Sequence, residues 1–371
     1  MVYLDNAATT ALTPSVIQAM TQVMTTDFGN PSSIHTYGRK ANRRLRSYRQ
    51  TIADILNTKP RHIIFTSGGT ESNNTAIKGY ALANQNKGKH LITTTLEHHS
   101  VLHTMEYLEH RFGFEVTYLK PENGQITAQQ VREALREDTI LVSIMYANNE
   151  TGDIFPIADI GQILRGHQAV FHVDAVQVAG KLPLAPESLG IDFLSASAHK
   201  FHGPKGIGLL YANALHFDNL LHGGEQEEKR RASTENMVGI AGLAQALKDS
   251  HDNLKDNYQH VQELHQTFID ELGNLDYYIN GSDVTLPHVI NIGFPNKNNG
   301  ILLTQLDLAG FAVSTGSACT AGTVDPSHVL SSIYGADSPR LTESIRVSFS
   351  EMNTIDEVRL FSRKLKEIVG N

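Results

Sequence analysis

The chain is 371 residues long, with 31 Lys and Arg against 39 Asp and Glu, giving a formal charge of −8. That length suits two domains or one large one, and the acidic balance excludes a generally basic surface built for a nucleic-acid backbone. No stretch approaches the about 18 consecutive apolar residues of a membrane span, and the start MVYLDNAATT lacks the basic and apolar regions of a signal peptide. Cys319 is the single cysteine and makes no internal disulfide, so a soluble, cytoplasmic protein with a free thiol is expected.

From about residue 60 to 212, short β-branched runs alternate with amphipathic stretches, the pattern of βαβ units. Strands are predicted over His62 to Thr66, His90 to Thr94, Thr139 to Tyr146, Ala169 to Asp174, Asp192 to Ser197 and Gly206 to Tyr211. Several are apolar on both faces, which requires burial between two helical layers. The fold class is therefore α/β, a three-layer α/β/α domain with a mainly parallel sheet. The charge-dense segment EQEEKRRASTEN at 225–236 reads as an exposed loop. Residues Met237 to Leu272 carry apolar positions at helical spacing, and a domain boundary is expected near 255. A smaller α+β domain then follows, with strands at His288 to Phe294, Phe311 to Val313 and Ser344 to Phe349. Its helices are predicted at Ile301 to Leu308 and Thr354 to Val369.

In open α/β sheets ligands bind outside the carboxyl ends of the strands, so the residues just after each strand come first. The turn Ser67-Gly68-Gly69-Thr70-Glu71-Ser72 enters a helix, where free N–H groups suit a phosphate, although a plain capped glycine turn has the same composition. Lys200, in Ser197-Ala198-His199-Lys200, stands at a strand end, where burial makes a lysine amine nucleophilic, whereas most lysines are simply solvated. Asp174 ends a buried strand, with Gln177 three residues later. A carboxylate there needs a positive partner or serves as a helix cap. His98 and Asn149 follow two further strands. A metal site built from His98, His99, His103, His172 and Asp174 is the weaker alternative, because no HExxH motif is present. Cys319 lies in the small-residue run Ser314-Thr315-Gly316-Ser317-Ala318-Cys319-Thr320-Ala321-Gly322, with no large apolar anchor, a setting that favours a reactive thiol.

Taken together, YLDNAATT, FGNPSSIHTYG, FTSGGTESNN, LEHHSV, NNETG, HVDAVQ, SAHKFHGPKG and GSACTAG stand in the order found in a known family. The chain resembles the NifS/IscS-type cysteine desulfurases, pyridoxal 5'-phosphate (PLP) enzymes of the fold-type I, class V aminotransferase group. SACT followed by Asp325-Pro326-Ser327-His328 is similar to the branch with a longer cysteine loop. The resemblance implies that Lys200 holds PLP covalently, Asp174 faces its ring nitrogen, Gln177 its ring hydroxyl, and His98 stacks on the ring. Gly69, Thr70, Ser197 and His199 match phosphate-holding positions, and Asn149 one beside the cofactor and substrate. Thr234 matches a threonine that reaches the phosphate of the other subunit, implying a homodimer. Arg346 matches the arginine that binds the substrate carboxylate, with Asn30 assisting. Ser233 and Ser350 stand where glycine is usual. Residues 13–255 would form the PLP-binding domain, and 1–12 with 256–371 a small domain carrying the Cys319 loop. The implied substrate is L-cysteine. Its sulfur would leave as a persulfide on Cys319 for an iron–sulfur scaffold or a tRNA-thiolating enzyme.

Overall fold

The computed structural model describes residues 1–122, 124–213, 216–315 and 326–370. Twelve strands stand among the described residues: β1 Val2–Tyr3, β2 Ile63–Thr66, β3 His90–Thr94, β4 Glu115–Leu119, β5 Thr139–Ser143, β6 Val170–Asp174, β7 Phe193–Ser197, β8 Gly208–Ala212, β9 Tyr278–Ile279, β10 Val289–Gly293, β11 Phe311–Ala312 and β12 Ser344–Ser348. Seven of them form the central sheet in the order β2-β8-β7-β6-β5-β3-β4. β8 pairs antiparallel with both β2 and β7, and the remaining pairs are parallel. The expected α/β architecture is present.

Alternation explains why these strands are apolar throughout. Ile63 and Phe65 of β2 point into one core with Leu209 and Tyr211 of β8, while Ile64 and Leu210 point into a second core on the opposite face. Helices cover both faces: Ile160, Ile240 and Leu243 join the first core, and Val101, Met105 and Leu108 the second. β4 is absent from the predicted strands. It is an edge strand whose first four residues are exposed or half-buried, so its sequence EVTYL carries only a weak apolar signal.

The rest of the chain builds a separate apolar cluster around Phe268, Ile292, Phe294, Ile345, Val347 and Phe361. Leu4 belongs to this cluster, whereas Leu12 packs on the large core. The sheet here has the order β12-β10-β9, and β1 pairs parallel with β11 beside it. The stretch from Met237 to Leu272 forms two helices, Met237–Asp252 and Leu254–Leu272. No helix among the described residues is long and apolar enough to cross a membrane.

Half of the charged segment 225–236 is exposed, and Glu227 is a correction to the expected exposed loop. Its side chain is 2% exposed and meets Arg49 in a two-pronged ion pair, each N···O contact 2.7 Å. The backbone N–H of Phe65 also donates to Glu227 Oε2, and the Arg49 guanidinium lies 4.7 Å over the Phe65 ring. A buried charge left without its partner is costly. Glu227→Gln should therefore lower unfolding free energy by about 3 kcal/mol in a denaturant titration. Adding Arg49→Met should recover part of that loss; equal stability of wild type and Glu227→Gln would contradict this account.

Candidate active site

Lys200 sits in the one-turn helix Ala198–Lys200 that directly follows β7. Its amine donates to the carbonyls of Ala7 and Ala8, at 2.6 and 2.8 Å. Burial first, then the cations Arg346 and Lys181, bring the amine down to about 7, against the opposing pull of Asp5 and Asp174. A lysine lowered in this way is substantially neutral at neutral pH and therefore nucleophilic. Reaction of Lys200 with an aldehyde, read by borohydride reduction and peptide mapping of cofactor-free protein, should rise through pH 6 to 8 and then level off. An ordinary lysine would keep rising towards pH 10, and that behaviour at Lys200 would contradict the assignment.

Asp174 is buried at the carboxyl end of β6. Its Oδ1 accepts from the backbone N–H of Val176 at 3.0 Å, and its Oδ2 from Asn73 Nδ2 at 2.7 Å. The helix-cap reading is corrected, because a turn and not a helix follows β6: one oxygen closes that turn and the other faces inward as a buried carboxylate. These two donors are neutral. A protonated ring nitrogen would supply the missing positive charge. Gln177 gives its Nε2 to the Ala7 carbonyl at 3.0 Å, and its buried Oε1 has no partner among the described residues. That oxygen suits a hydroxyl donor on a ligand.

The same Asn73 Nδ2 also donates to Ser100 Oγ at 2.9 Å, and Ser100 Oγ lies 2.8 Å from His98 Nδ1. Because the Ser100 backbone N–H donates to Nδ1 as well, at 3.1 Å, a neutral His98 carries its proton on Nε2. His98 caps the helix His99–Phe112 and keeps a solvent-accessible face. Crowding in the recess holds its imidazole below the usual range, Asp174 opposing and Lys200 adding to the effect. Asn73 and Ser100 are thus site residues that the sequence did not single out.

The glycine turn lies where the strands end. Gly68 has a φ of +156°, and Gly208 of β8 crosses it so closely that an added Cβ would meet Gly68 Cα at 2.7 Å. A Cβ on Gly69 would lie 2.7 Å from Val176 Cγ2, so this position needs glycine. Buried Ser197 sits beside both glycines, and Thr70 is exposed in the first turn of the helix that begins at Gly69. His199 contacts Thr9 Oγ1 at 3.2 Å, and burial lowers its imidazole to about 4.

Arg346 projects from β12 and is buried. Its Nη1 donates to the Asn149 carbonyl at 2.9 Å and its Nη2 to Asp5 Oδ1 at 2.8 Å. Thr234 and Asn30 stand apart: both are exposed, and Asn30 Oδ1 accepts from the Ser32 backbone N–H. Cys319 lies outside the described residues. Flanking it, Ser314 pairs with Arg346 through backbone hydrogen bonds, Ser327 Oγ donates to Glu150, and His328 Nε2 donates to the Glu97 carbonyl at 2.9 Å.

Two more groups lie in motifs that the sequence reading quoted without assigning them a role. Glu97 is fully buried, and desolvation raises its carboxyl to about 8. The turn Asp5 to Thr10 reaches Arg346, Gln177, Lys200 and His199 with its side chains and carbonyls, although the run DNAATT shows no periodicity at all. The alternative metal site does not assemble: His172 uses its ring nitrogens on Ser143 and Ser195, and the His99 and His103 rings stack parallel, 5.0 Å apart.

The model of the family described as "Aminotransferase class-V" matches residues 2–361. The chain belongs to the class-V aminotransferase family. Among its relatives, a protein of Bacillus subtilis strain 168 named putative cysteine desulfurase IscS 1 is 48% identical, over 99% of this chain and 98% of its own. The cysteine desulfurase IscS of Methanosarcina thermophila is 44% identical over 99% of this chain and 92% of its own. A solved structure titled NifS-like protein superposes with a TM-score of 0.93 at 36% identity, covering 100% of this chain and 99% of its own. Another, SspA in complex with cysteine, gives 0.84 at 35% identity, covering 95% and 100%.

Proposed function

We propose that the chain is a PLP-dependent cysteine desulfurase that converts L-cysteine to L-alanine and carries the sulfur as a persulfide on Cys319. The observation that carries this reading is the convergence of three chemically distinct groups at the carboxyl ends of β6 and β7 and the turns after them. They are the Lys200 amine lowered to about 7, the buried Asp174 carboxylate held by neutral donors, and the unpartnered Gln177 Oε1. The 40–48% identity to proteins named cysteine desulfurase, and a similar structure solved with cysteine, support the substrate.

In this reading residues 13–255 hold the cofactor, and 1–12 with 256–371 supply the substrate side. Lys200 would hold PLP covalently, Asp174 would keep the ring nitrogen protonated, Gln177 would face the ring hydroxyl, and His98 would cover the ring. Gly69, Thr70, Ser197 and His199 would hold the phosphate, with Thr234 of a second subunit in a homodimer. When bound, PLP supplies the electron sink that labilises the Cα–H and Cβ–S bonds of an amino acid. Arg346 binds the substrate carboxylate, with Asn30 and Asn149 beside it. Lys200 Nζ, neutral once released, accepts the Cα proton. The Cys319 thiolate attacks the substrate sulfur. A sulfur–sulfur bond forms as the Cβ–S bond breaks, its electron pair returns to the carbon skeleton, and protonation there completes alanine. In this reading the Nε2–H of His98 donates that proton. An iron–sulfur scaffold or a tRNA-thiolating enzyme in the cytoplasm then takes the sulfur.

The deciding test measures alanine and sulfide from L-cysteine with a reductant, for the PLP-loaded protein and its Cys319→Ala variant. Equal amounts of both products, lost in the variant while PLP stays bound, are expected. No alanine from the loaded wild type overturns the desulfurase reading, and full activity in the variant overturns the role of Cys319.

A further inference from the structure

The Arg346 guanidinium already has a counter-ion. Asp5 Oδ1 lies 2.8 Å from Nη2, across 341 residues of sequence, and the two side chains are 19% and 3% exposed respectively. The backbone holds Asp5 in place. It forms a parallel bridge with Ser348, two residues beyond Arg346, and its carbonyl accepts from Tyr3 Oη and the Ala8 N–H, each at 3.0 Å. Nη1 is fixed from the other side by the Asn149 carbonyl, while the buried Nε has no partner among the described residues. The guanidinium is thus clamped at two corners and carries a polar edge still to be satisfied.

Two consequences follow from this arrangement. A clamped fork presents its remaining N–H groups in one orientation, which suits a planar carboxylate. A guanidinium paired with a carboxylate also has no net charge to offer, so it does not attract anions indiscriminately. We propose that Asp5 is a positioning residue for Arg346 that both orients the guanidinium and cancels its charge. The site thereby takes the single carboxylate of an α-amino acid and discriminates against dianions such as sulfate. This deepens the function proposed above and rests on Arg346 as the substrate-carboxylate site. The turn extends the same logic to the amine, because Ala7 and Ala8, two and three residues on, hold Lys200 Nζ through their carbonyls.

Two variants separate orientation from charge. Asp5→Asn keeps an oxygen for Nη2 and removes the charge; Asp5→Ala removes both. With PLP-loaded enzyme, Asp5→Ala should raise KM for L-cysteine about tenfold with a smaller effect on kcat. Its spectral titration with cysteamine, which has the amine and thiol but no carboxylate, should shift far less than the KM for L-cysteine, by no more than about twofold. Asp5→Asn should keep KM within about threefold and become at least about tenfold more sensitive to inhibition by sulfate, since its cation is unbalanced. A readout independent of turnover is the melting temperature of each protein in sulfate against chloride at equal ionic strength. Sulfate should stabilise Asp5→Asn more than wild type. Equal sulfate response of wild type and Asp5→Asn in both assays would overturn the charge role. An Asp5→Ala defect of the same size towards cysteamine and L-cysteine would overturn the positioning role. If wild type released no alanine, the desulfurase reading would fail by itself, and the melting shift would still report on Asp5 and Arg346.

Discussion

Lys200→Ala is expected to lose all borohydride-reducible attachment of PLP and to fall on the order of 10⁴-fold in alanine formation from L-cysteine. The size follows from the double duty assigned to Nζ, as the group that anchors the cofactor and as the base for the Cα proton, since positioned acid–base groups alone contribute about 10²–10⁴-fold. The fold should survive. The lysine lies in a one-turn helix at a strand end, and its amine bonds go to the two carbonyls of Ala7 and Ala8, which solvent can satisfy in its absence. Circular dichroism should therefore match wild type. Activity above about 1% of wild type would place the base elsewhere in the recess.

Asp174→Asn should cost about 10³-fold in kcat while leaving the protein folded. The substitution keeps an oxygen that can accept from the Val176 N–H, and it presents an amide where Asp174 Oδ2 now receives the Asn73 amide. Asn73 can adapt, because its own buried Oδ1 has no partner among the described residues and becomes an acceptor if the amide turns over. What the variant cannot do is compensate a positive charge, so the effect should fall on chemistry rather than on folding. A steady-state comparison of alanine release, with the melting temperature as control, checks this. A loss smaller than tenfold would show that Asp174 is chiefly a turn cap.

The central sheet was legible because its buried strands are apolar on both faces, as in Ile63 to Phe65 and Leu209 to Tyr211, and an edge strand such as β4 has no such signature. Lys200, Asp174, Gln177 and His98 were legible for a related reason: sheet topology sends strand ends to one side, so polar residues there gather without further information. Contacts that depend on docking two distant segments were not. Asn73 and Ser100 join Asp174 to His98 through hydroxyl and amide groups that any surface helix could carry. Glu97 and Glu227 are carboxylates in a class that is almost always exposed, and only three-dimensional packing shows them buried. The resemblance supplied Arg346, yet nothing in one strand of sequence indicates that its partner is Asp5.

That long separation sets an order of assembly. During synthesis, the seven strands of the central sheet are complete once Ala212 has emerged, and with them the segments bearing Asp174 and Lys200. Ala7 and Ala8 meet Lys200 early, but Asp5 waits for its counter-ion and its backbone bridge until Arg346 and Ser348 arrive, 341 and 343 residues later. The end of the cleft that would grasp an amino acid by its carboxylate is therefore the last to be finished. A nascent chain halted before β12 would own the reactive amine without the grip that aligns a substrate to it, so competence for chemistry waits for that one strand.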